Sequence, residues 1–242
     1  SLGMDLEVQI QEPDVSPLAV QGPKAEILMS RVFGKPVTML KFFHFGEYSF
    51  EGRKLVIARS GYSRQGGFEI YLDQTAMGGK LWDTLWEAGK DLEVSPGCPN
   101  LIERVEGGLL SYGNEMTREN NPLECNLERY CNLDGTIDCV GMTRLREVAK
   151  KGIQQRIRGI VFEGEASPPC GFPWPLIHDA QKAGYTTTVV WSPRLKTNLA
   201  LAMVRKEFWA TNQELLVELP DGTQRKGFVT DLPFKEMAGT IG

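Results

Sequence analysis

The 242-residue sequence predicts an α+β fold: a region of mixed strands and helices over residues 1–150, then a strand-rich region over residues 151–242. Two observations carry this division. Strand-period and helix-period hydrophobic patterns alternate as far as Gly152, and strand patterns dominate from about Gln154 onward. No repeat, low-complexity tract or apolar run of membrane-spanning length interrupts the pattern.

Taken in order, LEVQIQ alternates as a strand does. A Pro-punctuated turn then leads to a second short strand, Leu18 to Gln21, and to a helix with Pro23 near its start. VIARSGYSRQGGFEIYL, residues 56 to 72, reads as a hairpin. Val56, Ile57 and Ala58 form a buried β run. In the returning strand Phe68, Ile70 and Leu72 share one face, with Glu69 and Tyr71 on the other. Gly66 and Gly67 suit the tip, where positive φ is needed, and Gly61 suits a bulge or a close backbone approach. The plain reading is a hairpin with a polar end; the functional reading sets Tyr62, Gln65, Glu69 and Tyr71 against a ligand.

GKLWDTLWEAGKD spaces Leu81, Trp82, Leu85 and Trp86 at helical intervals and stops at Gly89, which predicts a helix with both tryptophans in the core. NLIERVEGGLLSYGNEM holds another amphipathic helix, broken near Gly107-Gly108, and MTRLREVAKKG is a short basic helix closing at Gly152. Beyond it QRIRGIVFEGE, GYTTTVVWS, LALAMVR and ELLVELPDGTQRKGFVTDLPF read as strands, with turns at Pro168-Pro169 and Asp221-Gly222. That pattern predicts a compact β-barrel or sandwich.

Composition narrows the function. A formal charge of −4 with dispersed Lys and Arg gives no basic face, which argues against nucleic acid as a partner. The stretch SLGMDLEVQIQEPDVS is too acidic and polar for a signal peptide, so a cytoplasmic location is the default. The five cysteines, Cys98, Cys125, Cys131, Cys139 and Cys170, lack CxxC spacing and read as reduced thiols, not as a disulfide framework or zinc site. His44 and His178 lie in no nucleophile motif and read as structural; no metal site is expected.

The motifs, in their order, carry a resemblance. AVQGP at 19 to 23, the corner SGYSRQGGFEI, RVEGGLLSYGNEM followed by NPLE, the D-x-x-G at Asp138 to Gly141, and SP with LALAMV resemble the aminomethyltransferase (glycine-cleavage T-protein) family over nearly the whole chain. The resemblance implies tetrahydrofolate as cofactor, held in an opening among three domains, a C-terminal barrel, and transfer of a one-carbon unit between a small substrate and folate N5.

Departures from the family pattern narrow the subgroup. Gly61-Tyr62-Ser63-Arg64-Gln65 stands where T-proteins carry Gly-Tyr-Thr-Gly-Glu, so an amide replaces the carboxylate expected to pair with the pterin. PNLIERVE retains Arg104 and Glu106 but loses the family's Arg-Asp pair. The combination looks most like the family members that demethylate dimethylsulfoniopropionate, which implies a small-molecule sulfonium donor and the products methylmercaptopropionate and 5-methyltetrahydrofolate. A sulfonium is already a good leaving group, so such an enzyme needs alignment more than a strong acid or base.

On that resemblance Tyr71 is the catalytic candidate, its ring suited to a cationic sulfur. Tyr62, Gln65, Glu69, Arg104, Tyr112 and Trp174 are the candidates for binding the cofactor. Each has a plainer role: packing with a hydroxyl hydrogen bond for Tyr62 and Tyr71, a solvated carboxylate for Glu69, pairing with Glu103 or Glu106 for Arg104, a simple turn around Gly113 for Tyr112, and loop anchoring for Trp174 within PPCGFPWPL. Nothing in residues 1 to 18 matches the segment that precedes AVQGP in the family, with its folate-contacting aspartate. The chain therefore reads as the C-terminal two thirds of such a protein, with apolar surface uncovered and weak activity by itself. Two alternatives stand beside the demethylase: a lipoyl-dependent aminomethyltransferase, and a non-catalytic folate-binding relative, whose Lys-Gly-Cys-Tyr-x-Gly-Gln motif is replaced here by SYGNEMTRENNP.

Overall fold

A computed structural model describes residues 9, 11–98, 100–137, 139–168 and 170–234. Four of the six residues of the predicted LEVQIQ strand, Asp138 of the D-x-x-G motif and Pro169 of the predicted Pro-Pro turn lie outside the described residues; Gln9 and Gln11 are described and belong to no strand. The chain divides into two compact units, Ser1–Pro99 and Asn100–Gly242.

In the first unit, β1 (Ser16–Gln21), β2 (Phe45–Phe50), β3 (Arg53–Ala58) and β4 (Gly67–Leu72) form an antiparallel sheet in the order β1-β4-β3-β2. The β2–β3 turn uses Glu51 (φ 50°) and Gly52 (φ 76°), two consecutive positive φ values that match the right-handed strand twist. The predicted β3–β4 hairpin forms, and its alternation holds: Phe68, Ile70 and Leu72 are buried beside Leu55 and Ile57 of β3. The helices α1 (Ala25–Phe33) and α2 (Gly78–Ala88) cover that face with Leu28, Met29, Leu81 and Leu85. Burying each such side chain contributes about 1.5–3 kcal/mol before the entropy cost of ordering it.

The two tryptophans of α2 correct the sequence reading. Leu81 and Leu85 fill the core stripe, whereas Trp82 and Trp86 are 42% and 37% exposed and stack on each other, ring centroids 6.3 Å apart. Helical spacing groups all four residues, but the core stripe is narrow, and residues one position along turn away from it. Met39, Phe42, Phe43 and Phe45 are also exposed in this unit.

In the second unit, α3 (Leu101–Glu106) starts at Asn100, whose side chain accepts from the Ile102 and Glu103 amides, and stops at Gly107. The basic helix α4 (Met142–Lys151) stops at Gly152 as predicted. β5 (Gln155–Phe162), β6 (Pro175–His178), β7 (Gln181–Ser192), β8 (Thr197–Arg205), β9 (Glu214–Glu218) and β10 (Gln224–Thr230) close into a barrel in the order β10-β5-β8-β7-β6-β9. The C-terminal region is thus a barrel and not a sandwich, filled by a cluster that includes Ile160, Phe162, Leu176, Val189, Val217 and Val229. Asp221 shapes the β9–β10 turn by accepting from the Thr223 amide at 2.9 Å, and Gly222 supplies φ 82°. Outside the barrel, Val105 of α3 packs with Val161, Val190, Leu199, Leu201 and Phe234.

Candidate functional site

The corner between β3 and β4 is built around Gln21, the last residue of β1. Its amide nitrogen donates to the Ser60 carbonyl at 3.0 Å and the Phe68 carbonyl at 3.2 Å, while its amide oxygen accepts from the Ser63 hydroxyl at 2.8 Å. A methyl group on Gly61 would lie 2.0 Å from that amide oxygen, and one on Gly67 would lie 2.2 Å from the Val20 carbonyl. Glycine at both places is therefore a packing requirement: the corner must approach β1 closely. Tyr62 and Gln65 are exposed on this corner, with the Gln65 amide oxygen beside Gly22.

The sheet face away from the helices carries the predicted polar pair. Across the strands Ala19, Glu69, Ala58 and Phe45 form one row, and Pro17, Tyr71, Val56 and Glu47 the next. Small neighbours leave the centre of this face low, with the partly buried Glu69 carboxylate between two alanines. The Ser60 hydroxyl donates to Glu69. Tyr71 is 36% exposed, and its phenol lies above the usual tyrosine range because burial, then the charge of Glu69 on the same face, disfavours the phenolate. The Ser60 hydroxyl is an uncharged donor, and a carboxylate has about four acceptor positions to offer. Chemically, the face presents a carboxylate, a neutral phenol and a flat apolar floor.

The remaining three candidates lie in the unit Asn100–Gly242. Arg104 is buried. It donates from Nη1 to Glu115 Oε2 and to the Leu109 carbonyl, each at 3.0 Å, and from Nη2 to Thr188 Oγ1 at 3.0 Å. Its ion pair is with Glu115 and not with the Glu103 or Glu106 of its plainer reading; helix position turns the guanidinium inward to Glu115. Glu106 instead takes the Ser192 hydroxyl at 2.5 Å and Arg194 Nη2 at 2.7 Å. Trp174 is fully buried in the barrel core, with its backbone amide on the Thr186 hydroxyl at 3.0 Å, so of its two predicted roles the anchoring one fits its packing. Tyr112 stands 68% exposed on the loop 111–116, next to Gly113 at φ 96°.

Sequence reasoning passed over Gln21, Ser60, Glu115, Thr187 and Thr188. Gln21 stands inside the quoted AVQGP, but its partners lie 39 and 47 residues away, and Glu115 meets Thr187 and Thr188 from 72 and 73 residues away. No local pattern marks such pairs; only the run of three threonines, Thr186 to Thr188, hints at a polar contact. The five cysteines are free thiols, and burial, helped by the Glu124 and Glu115 charges, pushes the Cys125 thiol up to about 11. Among the described residues no group of His, Cys, Asp and Glu side chains is arranged to hold a metal, and no helix is long and apolar enough to cross a membrane.

Comparison with known proteins places this geometry. Residues 2–135 match the GCVT N-terminal domain and residues 155–235 the glycine cleavage T-protein C-terminal barrel domain. The chain is 49% identical over 232 residues to dimethylsulfoniopropionate demethylase DmdA of Ruegeria pomeroyi, covering 94% of this chain and 63% of that protein. It is 32% identical over 208 residues to an aminomethyltransferase of Caldanaerobacter subterraneus subsp. tengcongensis, covering 84% of this chain and 54% of that one. The chain therefore spans somewhat more than half the length of these relatives. The crystal structure of glycine cleavage system aminomethyltransferase T from Bartonella henselae superposes with a TM-score of 0.76 at 23% identity, over 92% of this chain and 60% of that one, a likeness of fold. With both domain families matched in order, the chain belongs to the glycine-cleavage T-protein family.

Proposed function

We propose that the protein works in tetrahydrofolate-dependent demethylation of dimethylsulfoniopropionate, giving methylmercaptopropionate and 5-methyltetrahydrofolate. The single observation that supports this most is the Glu69 row. A pterin edge is rich in N–H donors, and Glu69 is a carboxylate with acceptor positions left over, set between Ala19 and Ala58 where a flat ring fits. Tetrahydrofolate, when bound, supplies the N5 that accepts the methyl group.

The chain's own residues hold and orient. Glu69 accepts from the pterin edge, and Ser60 keeps its carboxylate fixed. Tyr62 and Gln65 bound the same site from the corner, where Gln65 offers both a donor and an acceptor without charge. Tyr71 keeps its phenol protonated and presents a ring face to the sulfonium, a contact worth about 0.5–2 kcal/mol. In the unit Asn100–Gly242, Tyr112 offers an exposed aromatic face of its own, while Arg104 and Trp174 act through the loops they anchor. In this reading the entropy saved by alignment carries the reaction, in keeping with a site that has no strong acid or base.

The aminomethyltransferase reading has the 32% identical relative in its favour. Against it stand the higher identity to the demethylase and Gln65 where that subgroup carries a carboxylate. The test is incubation of the protein with tetrahydrofolate and dimethylsulfoniopropionate, followed by quantification of methylmercaptopropionate and 5-methyltetrahydrofolate. Both products should form in equal amounts without any lipoyl protein, and Tyr71→Ala should lose more than Tyr71→Phe. Folate binding with aminomethyl transfer from a lipoyl donor and no sulfonium demethylation would overturn it.

A further inference from the structure

The loop 111–116 is tied down by a carboxylate that reaches away from it. Ser111's carbonyl accepts the Asn114 and Glu115 amides at 3.2 and 3.1 Å, and the Gly113 amide donates to the Met116 carbonyl at 2.7 Å, so the loop is tight in itself. Glu115, 1% exposed, then fixes it to its surroundings. Its Oε2 accepts the Ser111 amide at 2.6 Å and Arg104 Nη1 at 3.0 Å. Its Oε1 accepts the Thr188 hydroxyl; the Thr187 hydroxyl stands 3.3 Å from the same oxygen but has its shorter contact, 3.0 Å, with the Leu201 carbonyl.

Two consecutive strand residues ordinarily point to opposite faces. Here the pairing of β7 with β8 slips between Thr186, opposite Ala202, and Thr188, opposite Leu201, so that two residues of β7 stand against one step of β8. This bulge brings both threonine hydroxyls to one carboxylate. Thr188 in turn accepts from Arg104 Nη2 at 3.0 Å, closing the ring Arg104–Glu115–Thr188. Three donors hold Glu115 and the Thr187 hydroxyl stands beside its remaining position, so the carboxylate is enclosed by protein groups. What the ring leaves outside is the Tyr112 side chain, at 68% exposure.

We propose that Glu115 is a positioning residue: with Arg104, Thr187 and Thr188 it presets the loop 111–116 and holds the exposed Tyr112 ring as a fixed face for a planar aromatic ligand. The identity of that ligand as a folate rests on the proposed function; the presetting of the loop does not. A fixed aromatic ring loses less freedom on binding than a mobile one, so the ring of buried polar groups acts on affinity without touching the ligand.

The test uses the whole protein, Glu115→Gln, Thr188→Val, Tyr112→Ala and the double variant Tyr112→Ala/Glu115→Gln. Hydrogen exchange is followed at the amides of residues 109–116 and of the barrel strands, and tetrahydrofolate affinity is measured by titration. Loop amides should exchange about tenfold faster in Thr188→Val while the barrel strands keep their protection, whereas Glu115→Gln, which also leaves the buried Arg104 without its carboxylate, should lower the protection of both. Tetrahydrofolate should bind about tenfold more weakly to Glu115→Gln, and in the Tyr112→Ala background the same substitution should change affinity less than about twofold, because its effect runs through Tyr112. Unchanged loop exchange, or a loss of affinity that adds fully to that of Tyr112→Ala, would overturn the proposal. If the unaltered protein does not bind tetrahydrofolate, the proposed function falls and the exchange measurement alone decides the presetting of the loop.

Discussion

Glu69 and Glu115 are the same side chain put to opposite use. Glu115 is sealed, held by a guanidinium, an amide and the Thr188 hydroxyl, with the Thr187 hydroxyl beside it. Glu69 is partly exposed on an open sheet face, where the Ser60 hydroxyl holds it. The contrast separates a carboxylate whose acceptors are spent on structure from one that keeps acceptor capacity for the proposed ligand. Both are hydrogen-bonded; what separates them is unspent acceptor capacity beside accessible, low-lying neighbours.

The largest expected effect breaks the sealed member. Arg104→Ala or Glu115→Ala leaves one buried charge without its partner and should cost about 3–5 kcal/mol of stability, measured by denaturant unfolding. Arg104→Lys should rescue little, since an ammonium cannot reproduce the fork that meets Glu115, Leu109 and Thr188 together. A loss below about 1 kcal/mol in both alanine variants would put the ion pair on the footing of a surface pair. Next comes the corner: Gly67→Ala drives a methyl group to 2.2 Å from the Val20 carbonyl, and backbone there has little room to move. A cost of about 1–3 kcal/mol is expected, visible as a lower melting temperature.

The fold was largely legible because its signals are local. Helix stops at Gly89, Gly107 and Gly152, the Phe68–Ile70–Leu72 alternation and the Asp221-Gly222 turn are each written within a few residues. The tryptophans of α2 were misplaced because helical spacing fixes which residues share a side, while the packing of α1 and the sheet decides how wide a stripe is covered. At the site, Glu69 and Tyr71 were readable from strand alternation. Arg104 and Trp174 were chosen by family resemblance, which marks a position without saying which way its side chain turns. The partners of Glu115 join through a β-bulge, and a bulge leaves no local mark in the sequence.

A smaller effect sharpens the contrast at the level of reactivity. Cys125 is buried and its thiol is raised to about 11, whereas Cys98 and Cys139 are exposed. At pH 8 only about one Cys125 in a thousand is a thiolate, so a thiol reagent should modify Cys98 and Cys139 rapidly and Cys125 only on unfolding. Because the folded value lies above the unfolded one, the stability linked to this group is full below pH 9 and is lost as pH rises through about 11. Rapid modification of Cys125 in the folded protein would contradict its burial. The smallest effect belongs to Tyr71: a phenol raised by burial and Glu69 should titrate later than an ordinary tyrosine, and Tyr71→Phe should remove that late component from an ultraviolet pH titration.

The most direct measurement is a paired one on Glu69→Ala: tetrahydrofolate affinity by calorimetry, and melting temperature on the same samples. The account predicts that the protein binds tetrahydrofolate, that Glu69→Ala weakens binding by at least about tenfold, and that the melting temperature moves by no more than a few degrees. Binding left intact by Glu69→Ala, or lost only together with the fold, would contradict the claim that the open sheet face is the site.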